Sequence, residues 1–217
     1  MSADGCSNPS VVEWKDKKLI MMTACDDGRR RVYESDDMGY SWTEALGTLS
    51  CVWGNKQGES VKHVGSGFIT ATVGGDKKKV MLVTLPVYSK EKEDKEKEKS
   101  ELHLWLTDNT HIVDIGSVSE NEEDVAASSL LYKSGGDNDD EEKLIALYEK
   151  KKGDKDTSSG MVSVRLTKEL KRVKDVLTTW KDVDKRVSKL CPLSSATEDA
   201  SPENACGTDF DVTAGLV

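Results

Sequence analysis

An octapeptide at residues 35–42 constrains the fold of this chain more than any other segment. It reads Ser-Asp-Asp-Met-Gly-Tyr-Ser-Trp and fits the pattern Ser-x-Asp-x-Gly-x-x-Trp, with Ser35, Asp37, Gly39 and Trp42 at the fixed positions. The pattern predicts a tight turn, because the Asp37 carboxylate can accept hydrogen bonds from backbone N–H groups two or three residues on. Gly39 supplies the positive φ of a tight reversal, and Trp42 can pack across the turn. Taken alone, the motif also fits an ordinary hairpin followed by an aromatic residue.

Short apolar or alternating runs recur before residue 167 at intervals that suit antiparallel strands. Turn signals rich in glycine and aspartate separate them. Many short strands with polar turns are typical of a sandwich, a barrel or a propeller, and their spacing alone does not choose among these. The predicted strands are Val11–Trp14, Lys18–Cys25, Arg31–Ser35, Gly67–Val73, Lys79–Leu85, Glu101–Leu106, Ile112–Ser117, Ala126–Tyr132, Leu144–Glu149 and Met161–Leu166.

The pattern changes after Leu166, where apolar residues recur every three or four positions with lysine and aspartate between them. This period predicts one amphipathic helix over 167–190, which Pro192 cannot continue. A membrane-surface helix is the alternative, and packing against the rest of the protein is the preferred interpretation. Part of the apolar stripe is expected to be exposed in this chain.

The charge of the chain excludes some function classes. Its 217 residues carry a formal net charge of -9, and no basic stripe with interleaved aromatic residues is present, so no nucleic-acid partner is expected. The mixed-charge run Lys90–Lys99 and the acidic run Asp137–Glu142 are predicted to be solvated loops. No run of about twenty apolar residues exists, so no transmembrane segment is expected. The N-terminal residues also lack the features of a signal peptide.

Several motifs together resemble the trypanosomal trans-sialidase superfamily. The octapeptide 35–42 matches the Asp box of that family, which is also called a BNR repeat. Residues 5–14, 29–35 and 44–54 continue the likeness, as do Leu-Trp-Leu-Thr-Asp-Asn at 104–109 and Ser-Ser-Leu-Leu-Tyr at 128–132. The motifs come in the family's order over nearly the whole chain.

The resemblance implies an all-β fold, namely part of a six-bladed sialidase-type β-propeller followed by one long C-terminal α-helix. Residues 1–166 would be the C-terminal part of the propeller, 167–190 the linker helix, and 191–217 a cysteine-bracketed loop at the start of a lectin-like domain. The chain is therefore interpreted as a fragment. The family also implies a protein at the cell surface or secreted, although this chain shows neither a signal peptide nor a lipid-anchor signal.

Five cysteines leave an odd number after pairing. The resemblance favours a disulfide between Cys191 and Cys206, which would close a loop of about fourteen residues and contribute roughly 3 kcal/mol. Cys6, Cys25 and Cys51 then include at least one thiol that is free or bonded to another chain. Cys25 lies in an apolar stretch and is expected to be a buried small hydrophobic residue.

The resemblance also supplies a test of chemistry. Active members use a tyrosine nucleophile that a glutamate activates, three arginines that bind the substrate carboxylate, and an aspartate as acid/base; the aspartate and first arginine would precede this chain. The family's glutamate lies in a Cys-Ser-Glu-Pro context, and residues 6–9 here read Cys-Ser-Asn-Pro. Asn8 cannot accept the phenolic proton.

The remaining positions of this chain that match the family's site are also replaced. The second arginine follows a threonine, and here Ala24 follows Thr23. The third arginine and a tryptophan of the acceptor site belong to a loop that here is the run Lys90–Lys99, with neither residue. Ala127 stands where the nucleophilic tyrosine precedes two serines, and Tyr132 is expected only to pack.

Three functions follow as hypotheses. The preferred one is a catalytically inactive surface protein that acts in host-cell adhesion or immune interaction, with host cell-surface or matrix glycoproteins as partners. The alternative is an exo-α-sialidase or trans-sialidase that hydrolyses or transfers terminal sialic acid. A sialic acid lectin without catalysis is disfavoured by Ala24, because the carboxylate clamp also serves binding. No cofactor is expected, and the three histidines, His63, His103 and His111, lack metal-ligand spacing.

Overall fold

The computed structural model describes residues 5–45, 49–50, 52–57, 60–88, 100–120, 124–135, 141–151 and 159–190. Strands dominate this part of the chain, and one long helix follows them, so the all-β expectation with a C-terminal helix is confirmed. The elements are β1 (Cys6–Glu13), β2 (Leu19–Cys25), β3 (Arg30–Ser35), β4 (Thr43–Glu44), β5 (Lys56–Gln57), β6 (Ser60–Val61), β7 (Gly67–Val73), β8 (Lys78–Tyr88), β9 (Ser100–Thr107), β10 (Ile112–Ser117), β11 (Asp124–Lys133), β12 (Lys143–Lys151), β13 (Ser159–Arg165) and α1 (Thr167–Leu190).

The strands form antiparallel sheets in which each strand pairs with its neighbour in sequence. Two sheets have four strands, in the orders β1-β2-β3-β4 and β10-β9-β8-β7, and a third has the order β11-β12-β13. Strands β5 and β6 form a separate hairpin. Such meanders need only short connections, which explains why the turn signals in the sequence separate the strands so regularly.

Most strand predictions need correction by one or more residues at their ends, and two of the corrections have a clear structural context. Strand β1 begins at Cys6 rather than Val11, and it tolerates the early start because a bulge between Ser7 and Ser10 accommodates Asn8 at φ 51°. The strand predicted at Lys79–Leu85 was expected to end before Pro86, but the corresponding strand β8 continues to Tyr88. Pro86 pairs with Leu102 of β9, while the pairing of β8 with β7 ends at Thr84, so its missing N–H breaks no bond to β7. Strand β11 begins two residues before Ala126.

The core lies between the first two four-stranded sheets. Alternate residues of β2 and β8 face it, and Ile20, Met22, Met81 and Val83 are at most 1% exposed. Trp53 and Trp105 meet edge to face with their ring centroids 6.3 Å apart. This cluster fixes the two sheets against each other and thereby positions the strand ends that form the candidate site.

Helix α1 spans Thr167–Leu190, as the sequence period predicts. By contacts the chain divides into two compact units, Met1–Lys174 and Asp175–Val217. In the first unit, Leu166, Leu170 and Val173 are buried, whereas Val187 in the second is 55% exposed. The expectation that part of the stripe is exposed therefore holds at Val187.

A disulfide joins Cys6 of β1 to Cys25 of β2. The two residues are directly opposite each other in the antiparallel ladder. The expectation that Cys25 is a buried small hydrophobic residue is therefore right about its burial and wrong about its role, which is that of a disulfide partner. Cys25 is buried, but a residue 19 positions away in sequence is its partner, and only the strand register brings the two together. Cys51, Cys191 and Cys206 lie outside the described residues, and so does the proposed pairing of the last two.

Candidate functional site

The octapeptide 35–42 forms the turn between β3 and β4, as predicted. Asp37 is its centre: Ser35 Oγ donates to Asp37 Oδ1 at 2.8 Å, and Ser41 donates through its backbone N at 2.9 Å and its Oγ at 2.6 Å. The carboxylate thus reaches four residues on, rather than two or three. Gly39 has φ 92°, and Trp42 Nε1 donates to Gly39 O at 3.1 Å, so the indole does close the turn.

These hydrogen bonds all favour the charged form of Asp37. The bond from the Ser41 hydroxyl, followed by the bonds from the Ser41 backbone N–H and the Ser35 hydroxyl, lowers the pKa of Asp37 to about 2. The carboxylate therefore serves the conformation of the turn, because all the donors that stabilise it belong to residues 35–41.

Asn8 is the first of the three replaced positions, and its side chain is tied to the backbone. Its Nδ2 donates to the backbone oxygen of His63 at 2.9 Å. An amide in this role has no basic atom to offer to a phenol. The hydrogen bond from Asn8 therefore links β1 to the segment that contains His63.

Ala24, the second position, is fully buried and pairs with Arg30 of β3. The guanidinium on this face of the sheet thus comes from β3, and it is already engaged: Nη1 donates to Ser66 Oγ at 2.6 Å and Nη2 to the backbone oxygen of Val64 at 3.1 Å. Burial lowers the pKa of Arg30 to about 10, which leaves it charged at neutral pH. Arg30 is only 1% exposed, so its guanidinium is not accessible to a carboxylate ligand from solvent.

The surroundings of Arg30 include a phenol. Tyr88, at the end of β8, is close enough to Arg30 for the guanidinium charge to influence ionisation of the phenol. Burial raises the pKa of Tyr88 to about 12, so the phenol is neutral at physiological pH. Arg31, the next residue of β3, faces the other way and pairs with Asp27 at 2.7 Å.

Ala127, the third position, lies beside Gly65, where a Cβ built on the glycine would be 4.0 Å from that of Ala127. The next residue, Ser128, donates its backbone N–H to Gly65 O at 3.1 Å, and its hydroxyl is 2.9 Å from Thr84 Oγ1. Tyr132 donates its hydroxyl to Thr72 O at 2.7 Å. That bond fits the packing role predicted for Tyr132.

Two of the replaced positions, Asn8 and Ala127, contact one stretch, residues 63–66, which we call the central segment; Ala24 is linked to it only through its cross-strand partner Arg30. Asn8 bonds to its His63, Arg30 beside Ala24 bonds to Val64 and Ser66, and Ala127 lies at Gly65. The sequence analysis identified the three positions from the resemblance but did not identify the central segment. Its sequence, His-Val-Gly-Ser, carries no recognisable signal, and its hydrogen bonds join residues 34 to 63 positions apart.

The loop that would carry the third arginine, residues 90–99, lies outside the described residues. Within the described part of the chain, no three His, Cys, Asp or Glu side chains are grouped so that they could hold a metal ion. The same part contains no helix long and apolar enough to cross a membrane.

Comparison with known proteins defines the class of this fold. The sequence model of the BNR repeat-like domain matches residues 1–149. Two curated proteins of Trypanosoma cruzi, "Sialidase" and "Sialidase 85-1.1", are 38% and 35% identical over 189 residues. Among solved structures, Trypanosoma rangeli sialidase matches with a TM-score of 0.72 and 39% identity over 95% of this chain. The chain is thus a sialidase-like β protein built on BNR repeats.

The chain belongs to the sialidase and trans-sialidase superfamily of trypanosomes. It corresponds to 15% and 23% of the length of the two curated relatives and to 29% of the solved Trypanosoma rangeli chain. Its open sheets match part of a sialidase β-propeller.

Proposed function

We propose that this chain is a part of a sialidase-like surface protein that has lost sialidase chemistry and acts by binding. Its sheets are then blades of a six-bladed propeller, presented at the cell surface or on a secreted protein. Its partners are glycoproteins of the host cell surface or matrix, in adhesion or immune interaction. The family supplies the scaffold, and the function is argued from the site.

One observation carries the loss of chemistry: an amide and two alanines occupy the three replaced positions. Asn8 cannot act as a base, Ala24 cannot bind a carboxylate, and Ala127 cannot attack an anomeric carbon. Arg30 does not compensate for Ala24, because it is only 1% exposed and is bonded to Ser66 and Val64 in the interior. Loss of even one such group from a catalytic set usually lowers turnover by orders of magnitude.

The alternative function is an exo-α-sialidase or trans-sialidase, and the names of the relatives favour it. The two functions differ in the release of sialic acid from a fluorogenic sialoside. We expect no turnover by this chain or by the longest natural chain that contains it, with Trypanosoma rangeli sialidase as the positive control. Turnover that the inhibitor DANA abolishes would contradict the proposal.

A binding assay tests the other half of the proposal. The chain is immobilised and exposed to host cell-surface and matrix glycoproteins, each with and without prior removal of sialic acid. Binding that survives desialylation is expected, because the described site offers no free clamp for a carboxylate. Binding only to sialylated forms would instead favour a sialic acid lectin.

A further inference from the structure

Ser7, His63 and Asp26 form a continuous hydrogen-bonded chain that no role in the proposed function explains. Ser7 Oγ is 2.8 Å from His63 Nδ1, and His63 Nε2 is 2.8 Å from Asp26 Oδ1. The three residues come from β1, from the central segment and from the turn after β2, so the fold rather than local sequence assembles them. The sequence analysis found only that His63 lacks metal-ligand spacing, and it did not connect His63 with Ser7 or Asp26, which are 56 and 37 positions away.

The three side chains are held by the surrounding backbone and by a covalent bond. Ser7 follows Cys6 and Asp26 follows Cys25, and the disulfide joins these two cysteines. Asp26 N donates to Gly5 O at 2.8 Å, and Asn8 Nδ2 donates to His63 O at 2.9 Å. Each of the three residues is thus next to, or part of, a disulfide or hydrogen bond that links the region of β1 to another segment. These links limit the movement of the three side chains.

The arrangement has the chemical order of a nucleophile, a base and an orienting carboxylate. The Asp26 carboxylate accepts the proton of Nε2, so the neutral ring has its lone pair on Nδ1, the nitrogen that faces Ser7. The two ring nitrogens are exchanged relative to the usual serine hydrolase geometry, but the roles are the same. Asp26 is 69% exposed, so its electrostatic contribution is screened by water.

An apolar cavity of about 300 Å³ adjoins Ser7. Pro9, Met21, Thr23, Tyr33 and Trp42 line it together with Cys6 and Ser7. A cavity of this size and composition fits a short aliphatic or aromatic acyl group. Asn8 Nδ2 lies 3.5 Å from Ser7 Oγ, the attacking oxygen, so one amide donor is near the position where the carbonyl oxygen of a bound ester would become the oxyanion.

We propose that Ser7, His63 and Asp26 form a hydrolytic site for small carboxylic esters whose acyl group fills this cavity. Ser7 Oγ attacks the ester carbonyl while His63 Nδ1 accepts the hydroxyl proton, and Asn8 donates to the oxyanion. The intermediate collapses as the C–O bond to the leaving alcohol breaks and His63 returns the proton to that alcohol. Water then attacks the acyl-Ser7 ester by the same route, which releases the carboxylic acid and restores Ser7. Asp26 is a positioning residue.

A fluorophosphonate probe tests this site directly, because it phosphonylates activated serines. The folded, oxidised chain is incubated with the probe, and the modified residue is located by mass spectrometry. We expect Ser7 to be labelled, labelling to be lost in Ser7→Ala, and the labelling rate to fall at least tenfold in His63→Ala. Hydrolysis of p-nitrophenyl butyrate should follow the same order. Absence of Ser7 labelling in the wild-type chain would overturn the proposal without any variant.

Two further variants separate chemistry from folding. Asp26→Asn is expected to lower the labelling rate several-fold and Asp26→Glu to restore part of it, while the mass of the oxidised chain shows that the disulfide is intact. His103→Ala is the matched control, because His103 Nδ1 also lies 2.8 Å from a carboxylate, that of Asp114. Equal labelling of Ser7 in the wild type and in correctly folded His63→Ala would refute the role of His63. The outcome does not depend on sialoside turnover.

Discussion

At the scale of single residues, the turn at 35–42 shows how few side chains define the connection between β3 and β4. Asp37 collects hydrogen bonds from Ser35 and Ser41, Gly39 adopts φ 92°, and Trp42 covers the turn. All these bonds stay within the motif and do not reach the central segment. The motif therefore indicates the fold and not the activity, and it does not depend on which side chains occupy the positions of Asn8, Ala24 and Ala127.

The pKa of Asp37 makes the contribution of this turn dependent on pH. Its value of about 2 in the folded chain lies below the ordinary 3.8, so its stabilising effect is complete above pH 3.8 and is lost as the pH falls toward 2. We expect the thermal midpoint of the wild type to exceed that of Asp37→Asn near pH 6, and the difference to shrink between pH 4 and 2. Melting curves of both proteins across this range measure it.

The control for this experiment is Asp36→Asn, which removes the neighbouring carboxylate. Asp36 is 81% exposed, and its ion pair with Lys18 is 3.5 Å long. Such a pair contributes little, so a small change in midpoint is expected. A difference between wild type and Asp37→Asn that is constant from pH 6 to 2 would contradict the assigned role of the Asp37 charge.

Gly39 gives a prediction about the backbone. An added Cβ would meet its nearest neighbour, an atom of Trp42, at an ordinary 3.6 Å, so Gly39→Ala introduces conformational strain rather than a clash. We expect it to lower the free energy of unfolding by about 1 to 2 kcal/mol, as urea titration would measure. Gly75→Ala is the control, because Gly75 has no positive φ and no atom within 4 Å of the added Cβ. Equal effects of the two substitutions would refute the strain argument.

At the scale of elements, the first hairpin is a covalently closed unit. The disulfide between Cys6 and Cys25 joins the first residue of β1 to the last residue of β2, so it closes the open end of the hairpin. The same end carries Ser7 and Asn8. The conformation of these residues therefore depends on the redox state of the pair.

The disulfide is expected to stabilise the chain by about 3 kcal/mol, since it closes a loop with a sequence separation of 19 residues. The measurement is urea unfolding of the wild type and of the double variant Cys6→Ser, Cys25→Ala. Reductant should lower the midpoint of the wild type and leave that of the double variant unchanged. A wild-type midpoint insensitive to complete reduction would contradict this contribution.

The sequence predicted the positions of strands and helices more accurately than the contacts between them. Strands Gly67–Val73 and Ile112–Ser117 and helix Thr167–Leu190 have the predicted bounds, because their apolar periods are local properties of the chain. The two-residue strands β4, β5 and β6 were missed, since two residues cannot establish a period. The Cys6–Cys25 pair and the meeting of Asn8, Arg30 and Ala127 at the central segment depend on strand register and sheet packing, which no local pattern encodes.

At the scale of the whole molecule, one core serves the first two four-stranded sheets. Ile20 and Met22 come from one sheet and Met81 and Val83 from the other, and their side chains are almost completely buried in a common cluster. Because both sheets contribute side chains to this core, we expect them to unfold together.

Met81→Ala tests this cooperativity. It should lower the free energy of unfolding by about 2 to 5 kcal/mol, since Met81 is fully buried. Native-state hydrogen exchange should show the same loss of protection for slow amides in β2 and in β8. Val11→Ala, at a position 50% exposed, is the control and should change stability by less than about 0.5 kcal/mol. Loss of protection confined to β8 would contradict a shared core.

The central segment has a further consequence for how such a protein can change over time. Its ties to Asn8, Arg30 and Ser128 use the backbone oxygens of His63, Val64 and Gly65. Main-chain oxygens are present whatever the side chains are, so substitutions within the segment can leave these anchor points in place. A scaffold anchored in this way can lose one catalytic activity and gain new surface properties through successive substitutions, while each intermediate variant still folds.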